Sequence, residues 1–262
     1  MGLFIKKPLA ELISEANETG NKSLKRVLGP LSLVALGVGV IIGAGLFSIT
    51  GAVAANYTGA AITLSFIIAA LGCCFAALCY AEFASMIPVA GSAYTYSYAT
   101  MGELIAWIIG WDLVLEYCVA ATTVSISWSR YLIVFLDGFG IELPQALTAC
   151  PWDGGIVNIP AFLIVVIMSL FLIRGTEGSS IFNGIIVFLK VAVVLTFVIL
   201  GWKYIRAENY TPYLPANTGT LGEFGFSGIL RGAAIVFFAF LGFDAVSTAA
   251  QETKNPKRDM PI

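Results

Sequence analysis

No histidine occurs among the 262 residues. That absence removes His-based proton shuttles, histidine metal ligands and hydrolases built on a Ser-His or Cys-His pair. Charge is scarce as well. Asp, Glu, Lys and Arg make up 11% of the chain against 58% hydrophobic residues, the net charge is −2 and the mean hydropathy is +0.90. Such a balance excludes an ordinary soluble domain and gives no reason to expect nucleic acid as a partner. The five cysteines form no framework: Cys73, Cys74 and Cys79 sit in one apolar segment, Cys118 in another, and Cys150 alone in a polar connection. The first four read as small buried residues, and with only Cys150 in a polar connection no intrachain disulfide is implied. No Gly-x-Ser-x-Gly elbow and no repeated pore segment occur, so neither a membrane hydrolase nor a channel is favoured. The chain is read as a non-enzyme with no cofactor and no metal.

What the sequence does have is long uncharged runs. The first extends from Leu31 to Ala55, enough to cross a bilayer as helix. At its middle lies Gly37-Val38-Gly39-Val40-Ile41-Ile42-Gly43-Ala44-Gly45-Leu46-Phe47, with four glycines where a spanning helix would carry Leu or Val. Unpaired backbone groups are expensive in hydrocarbon, so an opening here makes sense only inside protein or beside a watered cavity. One reading is a discontinuous helix whose half-helix ends face a bound solute. The other is a seam of small residues between intact helices. A second interrupted segment would favour the first.

In chain order, a polar arm comes first, without the apolar core of a cleavable leader. Leu9, Leu12, Ile13 and Ala16 share a face, predicting a short amphipathic helix lying along the membrane or against the protein. Lys22 to Arg26 form a basic collar before the first span. A second span runs from about Ala60 to Ala81, stopped by Pro88 and Gly91, and the Tyr-rich tail through Tyr94 and Tyr96 suits an interfacial loop. The third, about Leu104 to Leu136, carries Asp112 and Glu116 on one face; Glu116 is the deeper and better functional candidate. A polar connection, Asp137 to Val157, leads to an apolar fourth span, about Ile156 to Ile173, then a tight polar turn, Arg174 to Ser179. The fifth, about Ile181 to Trp202, has one charge, Lys190, too deep to snorkel easily. A second external segment, Lys203 to Gly225, precedes the sixth span from Gly228 to Thr248. Aromatics cluster there around Gly242, with Asp244 at mid-depth. This is the second interruption. A basic, Pro-stopped loop, Glu252 to Pro261, follows.

Six spans put both termini on one side. That side holds Lys6, Lys7, Lys22, Lys25, Arg26, Arg174, Lys254, Lys257 and Arg258; the other holds Arg130, Lys203, Arg206 and Arg231. The excess predicts a cytoplasmic amino terminus.

Ile41-Ile42-Gly43-Ala44-Gly45-Leu46-Phe47, Tyr80-Ala81-Glu82, Pro88 to Tyr94, Gly110-Trp111-Asp112 to Tyr117, Phe237 to Asp244, and Glu252 to Pro261 resemble, in order, the amino acid–polyamine–organocation superfamily. The nearest likeness is to the cationic amino acid transporters and their bacterial relatives. The resemblance implies an all-α integral membrane protein with a five-plus-five inverted-repeat (LeuT-type) fold, of which this chain holds the first half: six transmembrane helices, the first and sixth discontinuous. Residues 1–30 would be a cytoplasmic arm, 31–202 the first repeat, 203–227 an extracellular connection, and 228–262 the sixth helix and its loop. The remaining carboxy-terminal helices would be missing, so the chain is expected to be an amino-terminal fragment. A truncated, non-transporting membrane subunit is the alternative.

The implied activity is proton-coupled amino acid transport across the plasma or bacterial inner membrane, with an amino acid, protons and the lipid bilayer as partners. N–H groups after the first break, at Gly43, Ala44 and Gly45, suit a carboxylate, and carbonyls around Gly39 to Ile42 suit an ammonium. The substrate set is Ile41, Ile42, Gly43, Ala44 and Gly45 with Phe238, Ala239, Phe240, Leu241 and Gly242. Phe238 and Phe240 are gate candidates, each with plain helix packing as the competing reading. By the resemblance Lys190 bonds carbonyls of the first helix and couples transport through reversible protonation. Glu116 and Asp244 are further proton sites or counter-charges.

Overall fold

The computed structural model describes residues 4–16, 26–173 and 176–262. Among these the one extended pairing is an isolated parallel bridge between Leu28 and Thr253; the rest is helix and connection. Lys22 to Lys25 of the basic collar, Glu18 of the arm, and Arg174 and Gly175 of the expected polar turn lie outside the described residues.

Among the described residues four helical stretches are long and apolar enough to cross a membrane: Pro30–Met86, Glu103–Asp137, Phe182–Tyr204 and Gly225–Thr248. Six are expected from the sequence, and the difference has two sources. The first two expected spans run together in Pro30–Met86, and the fourth is a 15-residue helix, Ile159–Ile173. That helix starts three residues later than expected because the Asn158 carboxamide accepts the Ala161 N–H (3.0 Å) and so caps it.

Two compact units are present. The first comprises residues 1–110 and 180–262. Its amphipathic helix α1 (Leu9–Ala16) forms as expected and buries Leu12. Helix α2 (Pro30–Ile41) starts with proline at its first turn, where the missing N–H costs nothing. After the bends at Ile42 and Gly43 the chain continues as helix, with wide turns at Gly45–Ile49 and Ala54–Thr58 on either side of Thr50–Val53, and turns at Gly59, whose φ of +61° favours glycine, into α3 (Ile62–Met86). Leu33 and Ala84 share one buried cluster and Val53 and Ala69 another, so α2 and its continuation run antiparallel to α3.

The Tyr-rich segment is a helix, α4 (Ser92–Thr100), and not the expected interfacial loop. Gly91, at φ +128°, redirects the chain, and Tyr96 is buried in a stack with Phe83 (centroids 5.2 Å apart), giving the segment an apolar face to pack. Helix α5 (Glu103–Asp137) begins in this unit. Helix α6 (Thr176–Gly201) starts ahead of the expected Ile181, and α7 (Gly225–Val236) opens the last interrupted stretch. Close approach of α7 to α3 depends on Gly232, where a Cβ would strike Thr58 and Ser65; the Ser65 hydroxyl also donates to the Ile229 carbonyl at 2.8 Å.

The second unit, residues 111–179, holds the remainder of α5, the connection after Asp137 and the Ile159–Ile173 helix. Ser129 donates to the Asn158 carboxamide oxygen at 2.7 Å and the Asn158 NH₂ donates to the Thr148 carbonyl at 2.9 Å. Glu116 belongs to this unit, partly buried on α5, with Asp112 exposed four residues before it.

Candidate functional site

The first interruption follows from Ile42, which leaves the helix (φ −76°, ψ 87°) while its N–H still donates to the Val38 carbonyl at 3.0 Å. Gly43 bends with it. The N–H groups of Leu46 and Phe47 both close on the Gly43 carbonyl, at 3.1 and 3.2 Å, so a new and wider turn starts there. The opening thus lies at Ile42–Gly43, at the leading edge of the expected Gly43-Ala44-Gly45. The N–H groups of Gly43, Ala44 and Gly45 lie at the start of the new turn, where helix geometry leaves donors without intrahelical partners.

The second interruption is longer. After Val236 the chain tightens into a 3₁₀ turn, Phe237–Phe240, then runs irregularly to Asp244 before the short helix Ala245–Thr248. The Phe238 carbonyl accepts the Leu241 N–H (3.2 Å) and the Phe240 carbonyl the Phe243 N–H (3.2 Å). The Phe238 carbonyl is therefore engaged, whereas those of Ala239 and Leu241 accept neither turn bond. Gly242 sits at φ +93°, a conformation that excludes a side chain, and a Cβ there would strike Val40.

The two interruptions meet. A Cβ on Gly45 would run into the backbone of Ala239, so the absence of a side chain is what brings the broken strands of chain together. Gly43 differs: its Cβ would meet nothing closer than the Val40 carbonyl oxygen at 3.6 Å, which is ordinary contact. Of the gate candidates, Phe240 packs edge to face on Phe66 (6.2 Å) beside the Val53–Ala69–Val236 cluster, the packing role; Phe238 is partly buried.

Lys190 reaches this region from α6. Its Nζ donates to the Gly39 carbonyl at 2.6 Å, two residues before α2 ends. Two turns earlier on the same helix, Asn183 abuts the same glycine, since a Cβ on Gly39 would lie 2.9 Å from its Oδ1 and 2.8 Å from Val187. The sequence reading passes over Asn183; its spacing of seven from Lys190, hence one helix face, is the signal that points to it.

On one side of the interruptions lies a cavity of about 320 Å³ between α2, α3 and the end of the last stretch, lined among others by Gly37, Val38, Ile41, Tyr80, Asp244 and Ser247. Of the expected substrate residues only Ile41 lines it; Gly45 and Ala239 meet at the contact. Asp244 is 5% exposed and accepts a hydrogen bond from the Ser92 hydroxyl at 3.3 Å. Ser92 holds φ +51°, an unfavourable conformation for a residue with a Cβ, so its position is imposed by the turn at Gly91. Nearby, the Tyr96 hydroxyl and Ser247 Oγ are buried without a well-formed hydrogen bond, and burial pushes the Tyr96 phenol up to about 12. Among the described residues no group of three or more acidic or cysteine side chains is placed to hold a metal.

A protein-family model described as amino acid permease matches residues 28–262. The branched-chain amino acid permease BcaP of Bacillus subtilis is 50% identical over 99% of this chain and 54% of its own length. The methylthioribose transporter of Bacillus subtilis is 46% identical over 99% of this chain and 54% of its own. A vacuolar cationic amino acid transporter 4 of Arabidopsis thaliana is 35% identical over all of this chain and 44% of its own. The chain spans about half the length of the curated relatives it matches.

Proposed function

The chain belongs to the amino acid permease family, a family of transporters and not of enzymes, and from that premise we propose that its full-length form carries amino acids across the cell membrane by alternating access. With several helical stretches of membrane-crossing length it is a multi-pass membrane protein. The finer reading is a LeuT-type inverted repeat, with residues 31–202 as the first repeat and the interrupted stretches as its first and sixth helices. Arm 1–30 and loop 249–262 face the cytoplasm, and segment 203–227 faces outward. Helices beyond residue 262 complete the second repeat and supply the rest of the pocket.

The observation that carries this reading is the meeting of two interrupted helices at Gly45 and Ala239. An ordinary spanning helix keeps its ladder intact in lipid; two breaks abutting at one depth expose opposed main-chain groups in a shielded place. The substrate carboxylate binds the N–H groups of Gly43 to Gly45. Its ammonium binds the carbonyls of Val40 to Ile42, Ala239 and Leu241. Phe238 closes over it. Apart from the methylthioribose transporter, the reported relatives' names divide between branched-chain and cationic amino acids, and the backbone site is neutral toward that choice, so the side-chain preference is set outside the main-chain clasp.

Lys190 serves as the coupling group. Protonated, it donates to Gly39 and holds the carboxyl end of α2; deprotonated, it releases it, linking proton movement to the opening of the first helix. Glu116 and Asp244 are the runners-up, as proton sites or as counter-charges to Lys190. The test is uptake of radiolabelled leucine, lysine and methylthioribose by the full-length protein in proteoliposomes, with and without an inward proton gradient. Gradient-stimulated uptake of either amino acid is expected; uptake of methylthioribose alone overturns the amino acid assignment, and gradient-independent uptake overturns the coupling.

A further inference from the structure

We propose that the groove between α1 and the Lys254–Arg258 segment seats the headgroup of an anionic phospholipid. The groove, about 950 Å³, is lined by Leu9 and Ile13 of α1, Ser85, Met86 and Pro88 at the end of α3, and residues 254–258. Its chemistry is divided. One lip carries Lys254, Lys257 and Arg258, all exposed, and none of the three pairs with a described acidic residue. Among the described residues no carboxylate lines the groove. The opposite lip is apolar and uncovered, with Leu9 44% and Met86 54% exposed.

Position narrows the partner. Met86 is the last residue of a membrane-crossing stretch, so the groove lies where hydrocarbon gives way to headgroups. A lipid presents both halves of what the groove offers: phosphate for the cationic lip and glycerol with the first acyl carbons for Leu9, Ile13 and Met86. An acidic peptide or free phosphate uses only one. The three cations also project from a rigid support. The backbone just before them is tied by the Leu28–Thr253 bridge (Leu28 N–H to Glu252 carbonyl, Lys254 N–H to Leu28 carbonyl, each 2.9 Å), and Met260 and Asp259 beyond them are buried. Leu12 anchors α1 in the same core cluster as Leu28 and Met260. In the orientation proposed above, on which the choice of leaflet rests, this rim faces the cytoplasmic leaflet, where anionic lipid is concentrated.

The test is native mass spectrometry of the full-length protein in detergent, titrated with phosphatidylglycerol or phosphatidylcholine of matched chains. Phosphatidylglycerol is expected to bind at much lower concentration. In K254Q/K257Q/R258Q its half-saturation should rise on the order of a hundredfold, since each basic residue near an anionic surface is worth about fivefold, with phosphatidylcholine unchanged. The charge-conserving K254R/K257R variant should bind as wild type, and L9D should weaken binding with all three cations intact. Glycerol 3-phosphate at millimolar concentration should not displace the lipid. Equal binding of the two lipids, unchanged binding in the triple variant, displacement by glycerol 3-phosphate, or no lipid bound because a later segment of the chain fills the groove each overturns the proposal. Transport is not the readout, so this outcome is separate from that of the transport assignment.

Discussion

Gly45 and Ala239 touch backbone to backbone, and no residue larger than glycine fits at position 45. Close approach here is a steric fact, whatever the substrate. Gly45→Ala must displace Ala239 or move its own strand, and overpacking of this kind costs about 1–3 kcal/mol. The full-length G45A protein should therefore unfold at lower temperature in detergent and elute less uniformly, while Gly43→Ala should match wild type. Equal stabilities for the two variants would mean that the contact is not tight.

Lys190 and Gly39 form the second contact on which the account relies. Lys190→Met removes the donor and keeps the bulk of the stem. Proton-driven uptake should fall at least tenfold, with exchange of internal for external substrate retained, because exchange requires no net proton movement. Counterflow assays beside gradient-driven uptake separate the two. Unchanged gradient-driven uptake would remove Lys190 from coupling.

Asp244 and Ser92 offer a distinction between hydrogen bonding and charge. Asp244→Asn keeps an acceptor for the buried Ser92 hydroxyl and should leave thermal stability nearly unchanged. Asp244→Leu strands that hydroxyl, a loss of about 1–3 kcal/mol. Should D244N lose uptake while keeping its melting temperature, the carboxylate takes part in transport and not only in folding.

Much of this arrangement is legible in the sequence. Glycines at 43, 45 and 242 within apolar runs mark where helices open, and Lys190 declares itself as a charge with no cheap place to go. What a sequence does not reveal is which glycine makes room and which brings backbones together, because that depends on a partner segment far along the chain. Gly43 and Gly45 read alike until Ala239 is placed beside one of them. The Ser92–Asp244 bond joins residues 152 apart and has no local signature. The Tyr-rich segment misleads because tyrosine suits an interface; burial of Tyr96 on Phe83 decides for helix. Pattern marks the fourth span by its apolar run, but the Asn158 cap shortens it.

Glu252 gives a pH dependence outside the membrane-spanning stretches. Burial raises its carboxyl above the ordinary value of 4.5, so the folded protein holds this proton more tightly than the unfolded chain. Its contribution is favourable below 4.5 and is lost as pH rises through the raised value. Melting temperatures of Glu252→Gln and wild type, followed upward from pH 4.5, should diverge in favour of the variant, which stays neutral throughout. Parallel curves would show that Glu252 titrates normally.

The central claim, that opened main chain at the first interruption holds the substrate, is tested most directly at Gly43. There an added Cβ makes only ordinary contact, with the Val40 carbonyl oxygen at 3.6 Å, and does not strike a packed backbone. For full-length Gly43→Leu, equilibrium binding of the transported amino acid is measured alongside the melting temperature. The account predicts a near-wild-type melting temperature with affinity at least tenfold weaker; wild-type affinity in a folded G43L protein would contradict it.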